Sequence, residues 1–223
     1  MRLARSCCAA SIAMLACRGA PAPEQAKSEV APRAAKPAAP QVAEAKRDVG
    51  SAELEPPALD IEYVATPMNV VDKMLEVATI TKDDVVYDLG CGDARLLIGA
   101  ATKYGARGFG FDLDPERIAE ARANVERAGV GHLVTITQQN FFAVDLAPAT
   151  VVMLYLAPEL NVRLVPQLER LAPKSRIVSH DFDIKGYDPD DIWKVVAEHH
   201  RPPRKDRNHY VYLWTAPLAR GDE

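Results

Sequence analysis

Val85-Val86-Tyr87-Asp88-Leu89-Gly90-Cys91-Gly92-Asp93-Ala94-Arg95 is the stretch whose reading decides the fold. Its first five residues form a short apolar run rich in β-branched and aromatic side chains, which reads as a buried strand. Two glycines spaced one apart stop the run, and Leu96 to Tyr104 follows at once with helical periodicity. Strand, tight glycine turn and helix make the layout of a nucleotide-cofactor loop. Gly90 and Gly92 omit side chains where backbone must approach a ligand, and the helix start offers free N–H groups.

The details choose between cofactors. A dinucleotide fingerprint needs a third glycine where Arg95 stands. Instead an acid, Asp88, lies two residues before the first glycine. A carboxylate there suits a cationic amino group better than a pyrophosphate. S-adenosylmethionine carries such a group and no phosphate. A second strand, Arg107 to Asp112, ends in an acid 20 residues after Gly92, where a carboxylate can take ribose hydroxyls. Asn140 and Phe141 suit adenine, an amide for its edge and a ring for its face.

The remaining elements follow the same alternation. Thr66 and Pro67 open a helix with Val71, Met74, Leu75 and Ala78 on its apolar face; Thr66 is its expected N-cap and is counted among the cofactor-binding candidates. Asp114 caps a helix whose inward positions are Ile118, Ala121, Val125 and Ala128, and Gly129 stops it. Val134–Thr137, Thr150–Leu156 and Ser175–His180 read as strands, and Glu159–Leu171 as a helix that Pro166 kinks or restarts. Residues 181 to 190 are too short for another helix with its loops, and Ile192–Glu198 and His209–Thr215 then read as two closing strands. The expectation is an α/β fold: a mostly parallel seven-stranded sheet with an antiparallel edge strand and helices on both faces. Ligands in such sheets sit at the carboxyl ends of the strands. The pocket is therefore expected among Asp88–Gly92, Asp112, Gln139–Phe142, Tyr155–Pro158 and His180–Asp183.

Composition narrows the function. From Ala58 onward 19 Lys and Arg face 25 Asp and Glu, a net of −6, which argues against a nonspecific nucleic-acid binder. The basic stretch Arg201 to Arg207 reads as a solvated loop. Three of the four cysteines, Cys7, Cys8 and Cys17, lie near the start, so the folded part has neither a disulfide framework nor cysteine metal spacing. Cys91 reads as a small turn residue.

Residues 1–17 begin with Arg2 and Arg5 and run into Met14-Leu15-Ala16-Cys17, a signal-peptide layout with a lipobox-like end. Cys17 would then be lipidated and tether the protein to a membrane in a bacterial cell envelope; an unprocessed start would leave it cytoplasmic. Residues 18–57 hold seven prolines and no apolar period, and read as an extended, disordered linker. The folded domain is expected over 58–218, with 219–223 as a tail.

The Asp88–Gly92 loop and Asp112 resemble the cofactor motifs of class I S-adenosylmethionine-dependent methyltransferases, over Tyr63 to Thr215. Within that class, Tyr87–Arg95, Tyr155-Leu156-Ala157-Pro158 and Ser179-His180-Asp181-Phe182 resemble the small protein-lysine methyltransferases that modify the ATP synthase c subunit and the adenine nucleotide translocase. That set usually has serine at Cys91, glycine at Ala94 and an acid at Asn140. The resemblance implies a Rossmann-like fold, S-adenosyl-L-methionine as cofactor, a lysine-bearing protein as partner, and cofactor contacts from Thr66, Asp88, Gly90, Gly92, Asp112, Asn140 and Phe141. Tyr155 and His180 become the catalytic candidates, and no metal is implied. Base-methylating relatives carry an Asn/Asp-Pro-Pro-Tyr box where Tyr155-Leu156-Ala157-Pro158 stands, so a nucleic-acid acceptor is disfavoured. Two other readings stay open: a small-molecule or lipid methyltransferase on the same fold, and a noncatalytic envelope module that kept it.

Overall fold

The computed structural model describes residues 63–198 and 206–221. The leader and linker readings fall outside the described residues, as does most of the basic stretch before Arg207.

Seven strands form one sheet in the order β3-β2-β1-β4-β5-β7-β6. They are β1 (Val85–Leu89), β2 (Arg107–Asp112), β3 (Val134–Gln138), β4 (Val151–Leu154), β5 (Arg176–His180), β6 (Asp191–Glu198) and β7 (Asp206–Thr215). The first five are parallel. The antiparallel pair closes the sheet at the β6 edge, as expected. The strand that runs backwards is β7, one place in, between β5 and β6. β1 and β4 are buried throughout, as befits central strands covered on both faces.

The helices divide unequally between the faces. α1 (Met68–Val77), α2 (Arg95–Tyr104) and α3 (Pro115–Arg127) pack on one side through residues such as Met74, Leu97 and Ile118. α4 (Pro158–Leu168) covers the other side with Leu160, Leu164 and Leu168, against Tyr87, Leu154, Ile177 and Trp214. Pro166 lies inside α4 without ending it. Its ring cannot donate to the carbonyl of Val162 one turn back, on an exposed stretch of the helix.

Two local expectations are corrected. Pro67, not Thr66, occupies the N-cap of α1, and no side chain caps that helix. The Thr66 hydroxyl lies instead 3.2 Å from His180 Nδ1. Ala128 is exposed as the C-cap of α3 and does not join the inward face; Asp114 caps the start as expected, accepting from Glu116 N at 2.8 Å.

At the amino ends of the strands a buried acid ties three of them together. Asp84 accepts from the Thr150 hydroxyl at 2.7 Å, from Thr81 N at 2.8 Å, and from the Arg176 guanidinium. It joins the entries of β1, β4 and β5 at the end of the sheet opposite the carboxyl-end cleft. Removing one partner of a buried ion pair leaves the other desolvated without compensation. Asp84→Ala should therefore destabilise the fold by on the order of 3 kcal/mol in denaturant titration, with cofactor affinity unchanged.

Candidate active site

β1 ends where its backbone turns left-handed. Gly90 and Gly92 have φ of +79° and +51°. The N–H groups of Gly90 and Cys91 both donate to Phe111 O, at 2.8 and 3.1 Å, and so fasten the loop to the end of β2. A Cβ on Gly90 would come within 3.1 Å of Leu156, and one on Gly92 within 2.3 Å of the Tyr63 ring. The left-handed φ favours glycine at both places, and at Gly92 the Tyr63 ring also stands where a side chain would begin.

Asp112 holds the next turn. One of its oxygens accepts from Gly92 N at 3.0 Å and the other from Asp114 N at 3.1 Å. Asp93 and Arg95 pair beside it, with Nε of Arg95 2.9 Å from Oδ1 of Asp93, and the same guanidinium donates to Thr66 O at 2.7 Å. Burial pushes the Asp93 carboxyl up, but Arg95 outweighs it and holds it below the usual range.

These elements wall a cleft of about 750 Å³ at the carboxyl ends of the strands. Its volume is that of a small-molecule site. Asp88, Gly90, Asp112 and Phe141 line one part, and Tyr155, Leu156, Leu160 and Phe182 the other. Thr66 also lines it, although its hydroxyl is engaged by His180.

Three candidates stand behind the wall instead of in it. Gly92 is covered by Tyr63 and contributes its N–H to Asp112. Asn140 caps a short turn, its amide oxygen accepting from Phe142 N at 3.0 Å, and so places Phe141 in the cleft. His180 is fully buried, with its ring centroid 3.9 Å from that of Tyr155. Burial drives the His180 imidazole down to about 3, so it is neutral and takes no part as a surface base.

His180 belongs to a network under Tyr155. Its Nε2 lies 2.8 Å from His209 Nδ1, and Asp181 Oδ2 is 3.3 and 3.4 Å from those two nitrogens. The three groups could surround a metal ion by distance. Arg207 already supplies the positive charge, pairing with the same Asp181 oxygen. Asp181 takes a left-handed φ of 62° so that its other oxygen accepts from Tyr210 N at 3.1 Å. The Tyr155 hydroxyl bonds into the Asp181–Arg207 pair. Burial, reinforced by Asp181, raises that phenol to about 12, so it is neutral at physiological pH.

Tyr63, Arg117 and Arg207 carry no signal in the sequence that marks them for the site, whereas Asp181 falls in the expected pocket rim His180–Asp183. Arg117 lies over the Tyr63 ring, 4.9 Å from its centroid, beside the glycine turn. Cys91 is buried and its thiol is pushed up by burial and by Asp88, which fits a packed turn residue and not a nucleophile.

Asp88 shows what the cleft wants. It is 4% exposed, and burial, then Asp112 and Asp93, raise its carboxyl to about 8. Such a concentration of acids is relieved by a cation and aggravated by a phosphate. The cationic amino group of S-adenosylmethionine fits it, with Asp112 at hand for hydroxyls and Phe141 for a ring.

Comparison with known proteins agrees. Residues 88–191 match the family model of the ANTKMT methyltransferase domain. A protein-lysine N-methyltransferase of Saccharolobus islandicus (strain REY15A) is 44% identical over 156 residues, covering 69% of this chain and 92% of the relative. The adenine nucleotide translocase lysine N-methyltransferase of Mus musculus is 29% identical over 133 residues, covering 59% of this chain and 57% of that protein. Among solved structures, an RNA methyltransferase from Salinibacter ruber in complex with S-adenosyl-L-homocysteine is 42% identical, with a TM-score of 0.61, covering 72% of this chain and 98% of that one.

An ammonium group placed against Asp88 favours its ionised form. Below about pH 8 the free protein holds that proton, so binding expels it and affinity rises with pH toward that value. Calorimetry at about pH 6.5, in buffers of differing ionisation enthalpy, should show release of up to about one proton with S-adenosylmethionine. Asp88→Asn should bind more weakly and release close to none.

Proposed function

This chain belongs to the protein-lysine N-methyltransferase family, and from that premise we propose that it methylates lysine side chains of a protein at the cleft beside Tyr155. That it uses S-adenosylmethionine rests on the family and on the acid-lined loop together. The observation that carries the lysine reading is the makeup of the other part of the cleft: Tyr155, Leu156, Ala157, Leu160 and Phe182, with no charged side chain among them.

A lysine ammonium has no lone pair, and its ordinary pKa is about 10.4. An apolar, partly desolvated mouth disfavours the charged form and lowers that value, so the proton leaves to water before transfer. When bound, S-adenosylmethionine supplies an electrophilic methyl group, which passes in line to the neutral amine while the S–C electron pair stays with sulfur. The chain's own part is alignment of the two reactants. Asp181 accepts the Tyr155 O–H and Arg207 donates to the phenol oxygen, which leaves that oxygen one lone pair to receive an N–H of the amine and point the amine's own lone pair along the cleft. His180, behind the ring, is a positioning residue.

The similar solved structure named as an RNA methyltransferase makes RNA the competing acceptor. Net charge of −6 from Ala58 onward opposes a polyanion and favours a basic protein. Labelled methyl transfer into cell extract, with the product separated into protein, RNA and lipid, decides. Methyllysine after acid hydrolysis supports the reading, and label confined to RNA or lipid overturns it. Tyr155→Phe should lower turnover on lysine about tenfold to a thousandfold with cofactor affinity nearly unchanged. Unchanged turnover would remove the hydroxyl from the reaction.

The finer proposal, a membrane tether through lipidated Cys17 in a bacterial envelope, rests on the leader sequence alone. Metabolic labelling with a fatty acid should mark the parent and not Cys17→Ala; absence of label from both would discard the tether.

A further inference from the structure

Among the described residues, the unequal division of helices leaves part of one face bare. On the β6–β7 ribbon, Trp193, Val195, Ala197, Val211 and Leu213 turn toward α1 and its core. Alternation sends Ile192, Lys194 and Val196 to the opposite side, where register pairs them with Tyr212, Tyr210 and Asn208. α4 packs on the inner strands of that side, against Leu154 and Ile177. Ile192 is therefore 50% exposed, Val196 57% and Tyr210 40%.

Three such residues on adjacent strands make a patch, not scattered singles. The patch adjoins the mouth of the cleft. Tyr210 is bonded to Asp181 through its N–H and its carbonyl. The next residue, Phe182, lines the cleft, stacks with Tyr155 and is 37% exposed. The segment from Asp181 to Asp191 carries five aspartates against one lysine. Asp183, Asp188, Asp190 and Asp191 are exposed, and Asp183 and Asp181 both act on the Tyr212 phenol. A strip of Ile192, Val196 and Tyr210, interrupted by the long side chain of Lys194 and flanked by the acids Asp183 and Asp190, leads to an opening that accepts an amine.

We propose that the bare face of the β6–β7 ribbon, Ile192, Val196 and Tyr210 flanked by Asp183 and Asp190, docks the acceptor protein through an amphipathic segment bearing apolar and lysine side chains. The proposal rests on the lysine reading above. Charge complementarity selects the occupant: the rim attracts cations, and the strip takes the apolar side chains between them. Contact made away from the reacting nitrogen adds to binding of the whole acceptor, while a lone lysine side chain reaches only the cleft.

The test uses two acceptors: a synthetic amphipathic peptide of leucine and lysine, and Nα-acetyl-lysine amide. Ile192→Asn with Val196→Asn, and separately Asp183→Lys with Asp190→Lys, should each lower kcat/KM on the peptide by roughly tenfold, through KM. S-adenosylmethionine affinity and the rate on Nα-acetyl-lysine amide should not change. The charge variant alters only exposed side chains, so it keeps the test decisive should the apolar variant fold poorly. Peptide kinetics unchanged in the charge variant overturn the docking proposal while leaving the lysine reading intact. A shift from dimer to monomer in the apolar variant, with peptide kinetics unchanged, assigns the face to a second copy and overturns it as well. Failure of the parent to methylate either acceptor overturns the lysine reading and the docking proposal with it.

Discussion

Everything at the cofactor end depends on the clasp between two strand ends. Phe111 O receives two N–H groups from the glycine turn, and Asp112 receives a third from Gly92. Gly90 and Gly92 take the left-handed backbone that carries the chain onward through this turn. The clasp fixes the distance between β1 and β2 beyond their last ladder bond, which sets the width of the cleft. It also brings Asp88 and Asp112 close enough to help lift the former's pKa into the physiological range. One backbone arrangement thus provides the floor of the cleft, its charge and its preference for a cation.

The acceptor end is built differently. Its rigidity comes from a side-chain network that spans β4, β5 and β7, with Asp181 between Arg207, Tyr210 and the Tyr155 hydroxyl. A neutral, fully buried His180 fills the space beneath the Tyr155 ring and is tied to Thr66 and His209 on either side. Low dielectric makes such a network costly to leave half-satisfied and stiff when complete. A stiff support suits a reaction whose rate depends on the angle between two reactants.

Legibility in the sequence follows chain distance. Asp88, Gly90 and Asp112 can be placed because their roles arise from neighbours within one strand–turn–helix unit and the strand after it. Phe141 follows from its position just after a strand end. Tyr63 is illegible because nothing local marks it; it matters only through contact with a loop about thirty residues on. Asp181 and Arg207 meet across 26 positions, and only the antiparallel insertion of β7 brings them together. The sequence puts His180 at a strand end but leaves its direction open: a residue at a strand terminus can point into the cleft or under it, and periodicity says nothing of which. The N-cap expected at Thr66 fails for a similar reason, since a tertiary partner for the hydroxyl prevails over the local cap.

The place of β7 governs how the molecule must be assembled. It is synthesised last of the seven strands, yet it lies between two that precede it, β5 and β6. While the ribosome is still making residues before Asp206, β5 presents an open edge and β6 has nothing to pair with. The parallel core from β3 to β5 can condense in that interval, but the outer third of the sheet has to wait for release of the later chain. An open edge on a nascent sheet invites pairing with other chains. Premature termination before β7 would leave a compact but adhesive body, and the acceptor side, which borrows Arg207 and His209 from that strand, would lose the support beneath Tyr155.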